Sequence, residues 1–140
     1  MPDVQSPRFW SYLESLVSSH AAVLDRPAGT AHPRYPDLIY PYDYGYLQGT
    51  TGGDGQGIDV WAGSGDRCEI TGVVCTVDVL KHDAEIKILL GCTLAEMNRI
   101  QAMHDSGAQG ALLLLHPRVR VGGSALPSGE AGGQGESRRQ

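Results

Sequence analysis

The chain has 140 residues, 41% of them hydrophobic, and a formal net charge of −5. That is one domain of ordinary size, long enough to bury a core, and no apolar run approaches the roughly 18 residues a membrane-spanning helix needs. The acidic balance argues against general nucleic-acid binding, which requires basic surface to neutralise phosphates, and it suits a cation-binding pocket.

The N-terminus, MPDVQSPRFW, has no basic region followed by an apolar stretch, so no secretory signal is read and a cytoplasmic location is expected. Ser6-Pro7 has the form of a helix start, with Ser as N-cap and Pro at the first helical position. Phe9, Trp10, Leu13, Leu16 and Val17 recur at helical spacing, which predicts an amphipathic helix over residues 7–19. A short strand is expected at Ala21 to Asp25, then a loop rich in Pro and Gly from Pro27 to Asp37. Ile39 to Leu47 is dense in tyrosine, and Pro41 limits it to an irregular or edge position. Ile58–Ala62, Ile70–Asp78 and Glu85–Leu90 are apolar and β-branched enough to be strands.

Thr93-Leu94-Ala95-Glu96 has the spacing of a capping box. Met97, Ile100, Met103 and His104 fit one face of the helix it opens, with Gly107 as a stop and a last strand at Ala111 to Leu115. Residues 121–140 form a tail, Gly-rich from Gly122, expected to be disordered because it has too little apolar surface to fold. The domain is therefore residues 7–120. The expected class is α+β, a small closed or partly open OB-like β-barrel flanked by an N-terminal and a C-terminal helix. Cys68, Cys75 and Cys92 are odd in number without close pairing, so free thiols in a reducing compartment are the simple reading.

The acids carry the chemistry. In GDGQGID, Asp54 and Asp59 stand five residues apart on a glycine-rich turn, with Gln56 where a third carboxylate would fit. Asp78 and Asp83 repeat that separation between two strands. Either pair alone is ordinary turn chemistry. Two such turns together would form a hard-oxygen cage of the kind that takes Mg²⁺. No G-x-x-x-x-G-K-[ST] run is present, which excludes a P-loop. His20, His32, His82, His104 and His116 show no zinc-ligand spacing and read as surface or satisfied histidines.

The run YPYDYGYLQGTTGGDGQGIDVW, Tyr40 to Trp61, resembles the soluble inorganic pyrophosphatases of the single-domain β-barrel kind. Those carry Tyr-Pro-x-Asn-Tyr-Gly, a glycine-containing loop, then Asp-x-Asp-Pro-x-Asp. Tyr44 falls on the motif tyrosine, ten residues before Asp54, and Asp78 and Asp83 match the family's two aspartates on a strand–turn–strand. The resemblance spans about Asp25 to Leu90. It implies that Asp54, Asp59 and Asp83 hold the tightest metal, that Asp59 also touches a second, and that Asp78 with Asp83 serves an ion arriving with substrate. Mg²⁺ is the implied cofactor, with Mn²⁺ as an alternative, and Tyr44 would hydrogen-bond a substrate phosphate. The implied activity is hydrolysis of pyrophosphate by two-metal phosphoryl transfer to water.

The chain departs from that pattern at Gln56, an amide that orients a water but cannot take its proton, and at Glu85, where the family has a phosphate-binding lysine. Its first-strand Lys and Glu fall on Ala21 and Val23, and its late Tyr-Lys pair has no counterpart. Asp43 is expected to replace the missing catalytic carboxylate. Arg34 is expected to bind phosphate, with Tyr40 and Lys87 in the pocket and Arg26 and Lys81 in reserve. Competing expectations are a hydrolase of another organic diphosphate or phosphate, and a non-catalytic module that binds metal, phosphate or a protein partner. Expected partners are pyrophosphate or another small phosphate compound, with no nucleic acid and no membrane; a homo-oligomer is left open.

Overall fold

The computed structural model describes residues 6–120, so the expected tail lies outside the described residues. Helix α1 (Pro7–Ser19) opens on Ser6, whose hydroxyl accepts the Phe9 N–H at 3.1 Å, with Pro7 where a missing N–H costs nothing. It buries Trp10 and Leu13. Strands β1 (Ala22–Arg26), β2 (Asp43–Leu47), β3 (Asp59–Ala62), β4 (Ile70–Asp78) and β5 (Asp83–Leu90) follow. Helix α2 (Leu94–His104) begins with the expected capping box between Thr93 and Glu96, and β6 (Gln109–Leu115) ends the domain. No helix among the described residues is long and apolar enough to cross a membrane.

The strands form one mixed sheet in the order β1-β2-β3-β5-β4-β6. Among the described residues only the β3–β5 pairing is parallel. Among the described residues no pairing joins β1 to β6, so the α+β class holds but the sheet is not closed into a barrel. Part of the outer edge of β6 is met by α2 instead: Gln101 donates to the Ala111 carbonyl and Asp105 accepts the Ala111 N–H, both at 3.0 Å. Those groups have no need of a further strand. The expected Ile39–Leu47 element also divides. Residues 39–42, around Pro41, are irregular, whereas Asp43–Leu47 is an interior strand between β1 and β3 rather than an edge.

Side chains alternate across the sheet, and each face is covered by one helix. On one face α1 lays Trp10 and Leu13 against Leu47, Val60, Val73, Ile88 and Leu90. On the other, Met97 and Ile100 of α2 pack with Tyr40, Trp61, Val74 and Leu89. Gly45 fixes the join of the first two strands, since a Cβ there would lie 1.8 Å from the Val23 carbonyl oxygen. The close approach accompanies a bulge between Val23 and Arg26 that leaves Arg26 opposite Tyr44.

Candidate functional site

Register gathers the polar residues on the face that α2 covers only in part. Arg26 pairs with Tyr44, Asp59 with Lys87, Thr76 with Glu85 and Asp78 with Asp83. Cross-strand partners share a face, and Tyr44 and Asp59 follow because Tyr44 pairs with Trp61 and Tyr46 with Asp59. At the centre is Lys87, only 6% exposed. Its ammonium lies 2.7 Å from Asp59 Oδ2, donates to the Tyr44 hydroxyl at 3.2 Å, and stands 3.7 Å from Glu85 Oε1. Burial, followed by the charge of Asp59, pushes the Tyr44 phenol well above its ordinary range. Burial also raises Glu85; Lys87 opposes this, while the charges of Asp59 and then Asp54 add to it.

Asp54 reaches this group from the glycine-rich loop. A Cβ on Gly53 would meet the Ala84 carbonyl oxygen at 2.1 Å and Glu85 Cγ at 3.3 Å, so only glycine lets the loop press onto the start of β5. One oxygen of Asp54 accepts the Gln56 N–H at 2.9 Å, closing the turn, and Gln56 itself is exposed. Asp78 caps its own hairpin, with Oδ1 accepting the N–H groups of Leu80 at 3.0 Å and Lys81 at 2.9 Å. The Lys81 N–H is the main cause that holds the Asp78 carboxyl below its usual range. Asp83 precedes Lys87 by four strand residues, about 13 Å at the rise of a β-strand. The four aspartates therefore do not meet at one point. Asp59 lies opposite Lys87 at one end of the strip and Asp78 opposite Asp83 at the other, with Glu85 and the loop that carries Asp54 between them, and no three His, Cys, Asp or Glu among the described residues are grouped at metal-binding separation.

A rim of cations borders the strip. Arg26 donates to the Tyr40 hydroxyl, and its guanidinium lies 5.6 Å from the Tyr40 ring centroid. Tyr40 stacks on Tyr44 at 5.1 Å and on His32 at 6.0 Å. His32 Nδ1 accepts the N–H groups of Arg34 and Tyr35 at 3.0 and 3.3 Å, which leaves the ring proton on Nε2. Burial lowers the His32 pKa, and Arg26, Arg34 and Lys81 lower it further, so three cations act on one ring. Arg34 is on the exposed loop, whereas Arg26 is the arginine built into the sheet beside Tyr44.

Asp43 is not brought to this strip. It pairs with Ala62 and so projects from the opposite face, where its carboxylate accepts the Ala28 N–H at 2.8 Å and meets Arg67 at 3.0 Å. The Ala28 bond is the main cause that lowers its pKa. Across the strip, Trp61 donates to His104 Nε2 at 3.1 Å, and His104 Nδ1 donates to Gln109 at 3.0 Å. Gln109 in turn bonds Asp78. His104 is thus a satisfied histidine with a fixed tautomer, and burial pulls its pKa down to about 4.

The sequence offers Arg26 only as a reserve and Glu85 only as a charge reversal at a motif position. The bulge in β1 sets Arg26 beside Tyr44, and alternation sets Glu85 on the strip, because Asp83, Glu85 and Lys87 occupy every second position of one strand. The donors are carboxylate oxygens, the hard ligands that Mg²⁺ and Mn²⁺ prefer. Asp59 and Glu85 are already arranged about a positive charge, the Lys87 ammonium, so in donor type, though not as a ready three-ligand group among the described residues, they suit a cation. Comparison with protein-family models, curated proteins and solved structures returns no match.

Proposed function

We propose that this chain is a Mg²⁺-dependent hydrolase of phosphoanhydrides, with inorganic pyrophosphate as the simplest substrate. The observation that carries the reading is the joining of two opposite charge layers on one face. Asp54, Asp59, Glu85, Asp78 and Asp83 form a carboxylate strip, and Arg26, Arg34 and Lys81 gather at the His32 rim beside it. A highly charged phosphate with its counter-cation requires both. The reading treats the open sheet as the partly open barrel of the soluble inorganic pyrophosphatases that the motifs resemble. Glu85-Ile86-Lys87 supports it by supplying an acid-x-lysine triplet two residues further along than the motif spacing suggests.

In this scheme Asp54 and Asp59, and at the far end of the strip Asp78 and Asp83, would hold Mg²⁺ or Mn²⁺, which when bound would supply Lewis acidity and lower the pKa of an attacking water. Arg26, fixed by Tyr40, binds substrate oxygens together with Arg34 and Lys81, and Tyr44 orients them. Gln56 is an amide and Asp43 faces away, so Glu85, raised in pKa and set between the two aspartate pairs, accepts the proton from water. A cytoplasmic setting suits the free thiols of Cys68, Cys75 and Cys92.

A second reading, a phosphate-binding module without turnover, is favoured by the Asp59–Lys87 ion pair and by Gln56. Phosphate release from pyrophosphate in Mg²⁺ separates the two. Active wild type that Asp59→Asn silences supports the hydrolase. Inert wild type that gains activity on Gln56→Asp supports the module.

A further inference from the structure

Lys87 is the most unusual residue of the strip. Lysine is almost never fully buried unless paired, yet this one is 6% exposed and its ammonium is surrounded by oxygen. Asp59 Oδ2 is at 2.7 Å, the Tyr44 hydroxyl at 3.2 Å and Glu85 Oε1 at 3.7 Å. Carboxylate and phenol oxygens converging on a buried positive charge form the surroundings of a cation site, with an amino group as the cation. Without a cation here, the half-buried carboxylates of Asp59 and Glu85 would lie close together with no positive charge between them.

We propose that the Lys87 ammonium is a built-in cation that holds the position beside Asp59 and Glu85 against divalent metal, so that Mg²⁺ or Mn²⁺ enters there only by displacing it. The stem is four carbons long and its head is a compact point charge, so displacement moves a cation off the carboxylates and frees it to meet an anion. Metal entry and phosphate binding are then linked: the ion that arrives at Asp59 releases Lys87 toward the substrate.

The inference deepens the hydrolase reading and rests on it only for the choice of Asp59 as a ligand, with Glu85 beside it. Its test reads ion binding and not turnover, so either can fail while the other stands. Mn²⁺ is titrated into the full chain by calorimetry, with free Mn²⁺ followed by electron paramagnetic resonance. Lys87→Met and Lys87→Gln are expected to bind Mn²⁺ at least tenfold more tightly than wild type. Lys87→Arg, which keeps the charge, is expected to bind like wild type, and Lys87→Met combined with Asp59→Asn to lose the gain. If Lys87→Met folds only with metal, Mn²⁺-dependent recovery of the native circular dichroism spectrum is the same result. Unchanged or weaker Mn²⁺ binding in both neutral variants, a gain that survives Asp59→Asn, or failure of Mn²⁺ to recover an unfolded variant overturns the proposal.

Discussion

Asp43 and Tyr44 are adjacent in sequence and project from opposite faces of the same strand, and the two faces differ in kind. On the α1 face, polar groups serve the fold: Asp43 clamps the Ala28 backbone and Arg67, and Glu14 pairs with His116, beside a wholly apolar cluster. On the α2 face the helix covers only part of the sheet. The remainder carries charges that perturb one another, among them Asp59, Glu85 and Lys87. An aspartate in a motif is therefore not informative by itself. The face it occupies, set by the parity of its strand position, decides which charges it meets.

Four substitutions test that division, from the largest expected effect downward. Glu85→Gln should lower phosphate release on the order of 10³-fold, about 4 kcal/mol of barrier. A wild-type rate would remove Glu85 as proton acceptor. Leu13→Ala, on the α1 face, should cost about 2–5 kcal/mol of stability in urea titration, with activity per folded molecule unchanged. A change in that specific activity would show the faces to be coupled.

Acid should weaken the fold through His104 on the α2 face. His104 has a pKa of about 4 in the folded chain, against 6.5 ordinarily. Its contribution is fully present above about 6.5, where both states are neutral, and is lost as pH falls toward 4, because the unfolded chain takes up the proton earlier. The loss should be about 3 kcal/mol. It should appear as a urea midpoint that falls between pH 7 and pH 4.5 in wild type and less steeply in His104→Gln. Equal slopes would mean that other groups carry the effect. The smallest change expected is for Asp43→Asn, about 1 kcal/mol of stability for a half-exposed clamp.

Much of the fold is legible in local chemistry. The N-cap at Ser6, the capping box at Thr93 and the apolar runs of β4 and β5 are decided by near neighbours, and the structure follows them within a residue or two. Sheet closure is not local: nothing in QGALLLL shows that Gln101 and Asp105 will take up the edge of Ala111. The site divides in the same way. The spacing of Asp54, Asp59, Asp78 and Asp83 marks which turns carry acids. It cannot show that Asp59 lies opposite Lys87, four strand residues from Asp83, or that Glu85, read as a charge reversal, fills the gap between them. Those facts depend on the parallel register of β3 against β5, a pairing between segments separated by a whole strand.

The most direct measurement is Mg²⁺-dependent phosphate release from pyrophosphate by Asp59→Asn and Asp43→Asn, assayed side by side with wild type. The account predicts release by wild type, loss in Asp59→Asn and retention in Asp43→Asn. No release from wild type, or loss on Asp43→Asn with retention on Asp59→Asn, would contradict it.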